Sequence, residues 1–166
     1  MYSLFVQCIL MRVCVGGTFD HMHEGHKLLL ITSLKTARDN GSVYIGIANG
    51  PLVKDKSKVA PFHQRKAQVE QFIEHQNIHP KIMIEEIQTI YGPTLSMDFD
   101  AIVISPETKE IAKHINDERQ KIGLVPMKII EIPYVLADDG RPISSTRIRN
   151  NEIDAQGHLQ KERTGD

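Results

Sequence analysis

Residues 16–26 read GGTFDHMHEGH, placing three glycines, a threonine, an aspartate and three histidines within eleven positions. Imidazoles at such spacing either share a metal ion or donate N–H groups to an anion. Gly16 and Gly17 let the chain turn and let a ligand approach its backbone. The chemistry depends on which element carries the histidines.

Three readings compete. The chain has eight histidines, so a local cluster in a surface loop could be incidental. A metal reading rests on His21, His23 and His26, whose spacing copies the HxHxDH pattern of metallo-β-lactamase-like hydrolases. Gly25 stands where that pattern needs its aspartate, and the long alternating strands of such a fold are missing. An anion reading places a helix start near Glu24, with His23 at its entrance and His26 one turn in. Free backbone N–H groups and the positive helix end then point at one place. Gly25 would keep a Cβ away from a phosphate, and the helix terminus would push His26 toward its neutral form. No GxGxxG follows the first strand and no GxxxxGK[ST] occurs, so neither the dinucleotide fingerprint nor a P-loop is present.

The elements that must position these residues alternate. RVCVG (12–16), SVYIGIA (42–48), KIMIEEI (81–87), DAIVIS (100–105) and MKIIEI (127–132) read as strands. Helical patterns occupy 25–40, closed by Asn40-Gly41, then 61 to about 77, then 106–123, with a last helix starting at Ser144. Nearly continuous apolar strands between helices predict an α/β domain, doubly wound and Rossmann-like. Its five-stranded parallel sheet carries helices on both faces. Ligands of such a sheet sit beyond the carboxyl ends of the strands, where the loops after the first and fourth strands diverge. Residues 16–26 are the first of those loops.

Composition narrows the partners. With 20 basic and 21 acidic residues the net charge is −1, which favours neither nucleic acid nor membrane. Any anion must be caught locally. Two cysteines, Cys8 and Cys14, are too few for a disulfide framework and fit a reducing cytoplasm. MYSLFVQCIL lacks a basic start and a cleavage site and is too short to span a bilayer. Residues 1–10 are therefore expected to be a leader or extension, 11–157 one domain, and 158–166 a polar tail. The sequence from Asp154 on is polar enough to fray.

Two motifs together carry a resemblance. His23-Glu24-Gly25-His26 resembles the (H/T)xGH signature of the nucleotidyltransferase superfamily, and Ile143-Ser144-Ser145-Thr146-Arg147-Ile148-Arg149 resembles its ISSTxxR signature. SPETKEIAKHINDERQKIGLVPMKIIEI (105–132) and ADDGRPISSTRIR (137–149) are similar to the archaeal and eukaryotic type of phosphopantetheine adenylyltransferase. The similarity covers residues 11–157. It implies transfer of AMP from ATP to 4′-phosphopantetheine, giving dephospho-coenzyme A and pyrophosphate.

The resemblance also implies roles. His23 and His26 would contact the ATP phosphates, His26 meeting the α-phosphoryl oxygen. Thr18 would stand between the incoming phosphate and the α-phosphate. Ser144, Ser145, Thr146 and Arg149 would hold the β and γ phosphates, although SSTR also reads as a plain helix cap. Gly16, Gly17, Phe19 and Gly25 complete the expected ATP site. A lysine of the loop GPLVKDKSKVAPF (50–62) would face both substrates, Lys56 before Lys54. Asp20 would brace its loop by an Asx-type bond, and Arg65 reads equally as a helix-surface residue or a ligand contact. A phosphate monoester with a second pKa of about 6 needs no general base. Mg²⁺ is expected to arrive with ATP, with no dedicated carboxylate cage. Dephospho-coenzyme A or coenzyme A would bind as product or inhibitor. Rival readings are a sister enzyme using nicotinamide mononucleotide, FMN or glycerol 3-phosphate, and a nucleotide sensor without turnover.

Overall fold

A computed structural model describes residues 10–53, 55 and 58–160. Nine elements follow in chain order: β1 (Arg12–Gly17), α1 (Glu24–Ala37), β2 (Ser42–Ala48), α2 (Phe62–Glu74), β3 (Lys81–Ile87), β4 (Ala101–Ile104), α3 (Lys109–Lys121), β5 (Lys128–Glu131) and α4 (Ser145–Arg149). The strands form one sheet in the order β3-β2-β1-β4-β5, and every pair is parallel. β1 and β4 are neighbours, so the expected switch point lies between them.

The period of two along each strand sorts the core into layers. Val13, Val15, Val43, Ile45, Ile47, Ala101 and Val103 pack on one face against Leu30 and Leu34 of α1 and Val69 of α2. Cys14, Tyr44, Ile102 and Ile104 point to the other face and pack against Ala112 and Ile115 of α3. Helices thus cover both faces of a five-stranded parallel sheet, as the alternation predicts.

No helix joins β3 to β4, and a run of turns does so instead. Its anchor is Arg119 of α3, 1% exposed, whose guanidinium donates to the carbonyls of Thr94, Met97 and Val125. A cation in a charge-rich helix therefore belongs to the core. It satisfies carbonyls that a turn leaves without ladder partners.

The element ends differ from the sequence expectation. α1 stops at Ala37, and the residue in left-handed conformation is Arg38, at φ 61°. Gly41 serves another purpose: a Cβ there would lie 2.2 Å from the Ala37 carbonyl oxygen and 2.5 Å from that of Met11. α2 ends at Glu74 rather than near residue 77, and α4 ends at Arg149. The polar segment after Ile153 does not fray as far as Gln160. Ile153 is 1% exposed and pairs with Leu159, and Asp154 Oδ1 accepts from the amides of Gln156 and His158. Ala155 O accepts from Glu24 N, joining this hook to the start of α1. Local hydrogen bonds hold what hydropathy marks as tail.

Arg119→Met would keep most of the apolar volume but leave three carbonyls without their donor. We expect about 3 kcal/mol of lost stability in urea unfolding. An unchanged midpoint would show that the turns carry themselves.

Candidate active site

β1 ends at Gly17, and the chain turns back through two strained positions. Phe19 and His21 adopt φ of 51° and 49°, a left-handed conformation rarely taken by side chains of their size. Packing holds it. The Phe19 ring is 0% exposed, lies beneath Gly17, and sits 5.4 Å from the ring of His26. Phe19 is therefore a core residue under the loop, and it is absent from the cavity wall where the resemblance places it. A cavity-lining loop rests on an apolar wedge.

His23 caps α1. Its Nδ1 accepts from the amides of Gly25, at 3.1 Å, and His26, at 3.4 Å, while its carbonyl accepts from Lys27 N. With Glu24 N bonded to Ala155 O, the amides of the first turn are all engaged. The expectation of free backbone N–H groups here fails, because an imidazole has taken the place a phosphate would fill. Using Nδ1 as acceptor puts the ring proton on Nε2. Gly25 is explained by the same contact: a Cβ would stand 3.0 Å from His23 Cε1, so the glycine makes room for the ring rather than for a ligand.

His26 stacks on His23 with centroids 3.7 Å apart and planes 20° from parallel. Burial pushes the His26 pKa down to about 3, and the charge of a protonated His23 would add to that. Burial likewise lowers His23 to about 4. Both rings are neutral near pH 7, in the direction expected for His26, but desolvation leads and not the helix end. His26 Nδ1 is buried with no partner among the described residues, which leaves Nε2 as the ring nitrogen for a ligand. Among the described residues no group of three His, Cys, Asp or Glu side chains is placed to hold a metal ion. His21 faces Asp20 instead, at 3.7 Å.

The second motif arrives from the other end of the chain. Arg149 Nη1 donates to Asp20 Oδ2 at 2.6 Å across 129 residues, and Ser145 Oγ donates to the Asp20 carbonyl at 2.6 Å. Ser144 caps α4 by accepting from Arg147 N, and Arg149 Nη2 donates to Thr146 Oγ1. Arg147 pairs with Asp139 at 2.6 Å and Glu152 at 3.0 Å, stiffening the approach to α4. Ser144 both caps the helix and lines the cavity, and Ser145 and Thr146 line it beside the cap.

Asp20 and Arg65 differ from expectation. Asp20 makes no Asx turn; its Oδ1 accepts from Ala60 N at 3.1 Å, so it braces three segments rather than one. Arg65 is buried rather than on the surface, and it is not part of the cavity lining. At 1% exposure it donates to the carbonyls of Thr18, Ala48 and Ala60 and to Asn49 Oδ1.

One cavity of about 1000 Å³ opens at the carboxyl ends of β1, β4 and β5. Gly16, Gly17, Thr18, His23, Gly25 and His26 line it from the first motif, and Ser144, Ser145, Thr146 and Arg149 from the second. Lys54 and Lys56 lie outside the described residues. Their neighbour Lys58 is on the wall and pairs with Asp55 at 3.2 Å. The sequence reading missed residues 105–108 after β4 and 132–135 after β5, which form the far wall. Pro106, two residues past β4 at the switch point, was the available signal for the first of these.

The chain is similar to known proteins over most of its length. A sequence model of the Cytidylyltransferase-like family matches residues 14–151. A phosphopantetheine adenylyltransferase of Methanosarcina acetivorans is 39% identical over 152 residues, covering 91% of this chain and 97% of that protein. Another, from Methanopyrus kandleri, is 42% identical over 146 residues, covering 86% and 90%. A solved structure of a protein of unknown function from Archaeoglobus fulgidus superposes with a TM-score of 0.63 at 32% identity, covering 74% of this chain and 89% of that one.

The buried imidazoles have a stability consequence. Unfolded, each ionises near 6.5; folded, His23 does so at about 4 and His26 at about 3. Between these values the unfolded chain binds more protons, so stability is complete above about pH 6.5 and falls as pH drops through the window. His26→Asn should flatten the slope of melting temperature against pH between 6.5 and 4. A slope equal to wild type would mean that His26 is not held neutral by the fold.

Proposed function

Because this chain belongs to the phosphopantetheine adenylyltransferase family, we propose that it transfers AMP from ATP to 4′-phosphopantetheine, forming dephospho-coenzyme A and releasing pyrophosphate. The observation that carries this reading is the shared cavity, where the stacked imidazoles of one motif and the Ser-Thr-Arg helix of the other face the same space.

The reaction needs little covalent help from the protein. An oxygen of the acceptor phosphate attacks the α-phosphorus in line, the bond from the α-phosphorus to the bridging oxygen breaks, and pyrophosphate leaves with that electron pair. The acceptor is already largely dianionic at neutral pH. What remains is to bring two polyanions together and to stabilise charge on the α-phosphoryl oxygens and the leaving group.

The residues fit that division. His26, neutral and with Nε2 left for a ligand, donates to an α-phosphoryl oxygen. His23 supports it by stacking, and its Nε2–H is a second donor. Thr18 stands at the turn between the two phosphates, backed by Gly16 and Gly17. Ser144, Ser145, Thr146 and Arg149 receive the β and γ phosphates. Arg149 is already paired with Asp20, and Lys58 with Asp55, so both offer their remaining donors rather than a bare charge. Lys56, with Lys54 second, supplies the further cation for both substrates.

Mg²⁺ accompanies the nucleotide and lowers the charge on the leaving pyrophosphate when bound. Asp55 and Glu107 are the carboxylates on the cavity wall among the described residues, and no group of three His, Cys, Asp or Glu side chains among those residues is placed to hold a metal ion. That donor set fits an ion held chiefly by triphosphate oxygens and water. Dephospho-coenzyme A occupies the site as product, and coenzyme A, which shares the acceptor's arm, competes with it. The cytoplasm is the proposed compartment. Cys14 is a free, buried thiol, and no helix among the described residues is long and apolar enough to cross a membrane.

Pyrophosphate release from ATP, assayed against a panel of 4′-phosphopantetheine, nicotinamide mononucleotide, FMN and glycerol 3-phosphate, should occur with the first alone. Turnover confined to another member of the panel would replace the acceptor. His26→Ala should reduce adenylyl transfer by at least about a hundredfold, as loss of a transition-state donor does, while ATP affinity stays within about tenfold. Equal turnover in that variant would remove His26 from its role.

A further inference from the structure

Asp20 and Arg65 are buried side chains that do not line the cavity but lie behind its wall. Both hold Ala60. Asp20 Oδ1 accepts from Ala60 N at 3.1 Å, and Arg65 Nε donates to Ala60 O at 2.8 Å. Ala60 closes the loop between β2 and α2, whose Leu52, Val53, Asp55, Lys58 and Val59 line the cavity.

The remaining valences of the two side chains reach the other walls. Arg65 Nη1 donates to Thr18 O at 2.7 Å and to Ala48 O at 2.8 Å, and Nη2 to Asn49 Oδ1 at 3.3 Å. One guanidinium therefore grips both ends of the β2–α2 loop and the turn carrying Thr18. Asp20 Oδ2 holds Arg149, and the Asp20 carbonyl holds Ser145. The negative charge of Asp20 also offsets part of the cost of burying Arg65. Asp20, 0% exposed, is flanked by left-handed backbone at Phe19 and His21.

We propose that Asp20 and Arg65 form a positioning clamp centred on Ala60. It fixes the spacing between the β2–α2 loop, the Thr18 turn and Arg149, so that the donors of three separate segments meet the two substrates in register. This inference rests on the proposed AMP transfer. A carboxylate and a fork of five donors suit the task because each joins several partners in a set geometry. A lysine keeps the charge at position 65 but cannot reach four acceptors together. A misplacement of about 1 Å between reacting groups costs on the order of a hundredfold in rate, so the clamp should register in kcat before it registers in binding.

The test compares Arg65→Lys and Asp20→Asn with wild type, measuring kcat and KM per folded molecule, ATP affinity by calorimetry and melting temperature. We expect kcat to fall about tenfold to a hundredfold in Arg65→Lys, with ATP affinity within about threefold and a smaller kcat loss in Asp20→Asn. A purely structural role would lower the melting temperature and leave kcat per folded molecule unchanged. That result in either folded variant overturns the proposal. Hydrogen exchange on the wild-type chain gives a check that needs no variant. The Ala60 amide should be protected as the β1 amides are, and exchange as fast as exposed loop amides would also overturn the clamp. If the wild-type chain released no pyrophosphate with any acceptor, AMP transfer would fail instead, and the exchange result alone would decide whether Ala60 is gripped.

Discussion

Asp20 holds the site together. Its carboxylate and its carbonyl bind Arg149 and Ser145, which come from the last helix, and Ala60, which ends the loop after β2, while Asp20 itself follows β1. A buried carboxylate is costly unless charge and hydrogen bonds compensate it, and the compensation here comes from segments that must meet for the cavity to exist. Folding the core and assembling the site are therefore one event. The strained turn around Asp20 is the local cost, and the Phe19 wedge sustains it.

Charge in the site is handled with restraint. The two imidazoles are neutral because the fold desolvates them, and the cations on the described wall, Arg149 and Lys58, already have carboxylate partners. A pocket crowded with unpaired cations would hold product pyrophosphate as firmly as the transition state. Oriented neutral donors and pre-paired cations favour instead the charge that develops during transfer, since their geometry is set before the substrate enters.

His23 shows how one side chain alters a local rule. A helix start after a strand in this fold class is a ready anion site, because its first amides lack partners. Here the imidazole Nδ1 accepts two of those amides, the Ala155 carbonyl a third, and the Gly25 position is kept bare so that the ring fits. The donor presented to the cavity becomes the Nε2–H of a ring held by the helix.

The α/β class, the strand order of events along the chain and the site loops were readable from the sequence, because apolar periodicity and two motifs rich in Gly, His, Ser and Thr are local signals. The meeting of His23 and His26 with Ser144, Ser145, Thr146 and Arg149 was implied by the resemblance, because the two signatures together serve one triphosphate, and the cavity lining brings them together. Tertiary structure alone decided the rest. Arg65, which reads equally as a helix-surface residue or a ligand contact, and Arg119, which no motif singles out, are each buried and donate to carbonyls of distant turns. Phe19, placed by its motif among ligands, is a wedge. The polar residues after Ile153 form a hook, and Arg38 rather than Gly41 takes the left-handed position after α1. A hydropathy pattern reports which side chains prefer to leave water. It carries no record of which unpaired backbone groups, from elsewhere in the chain, will be waiting for them.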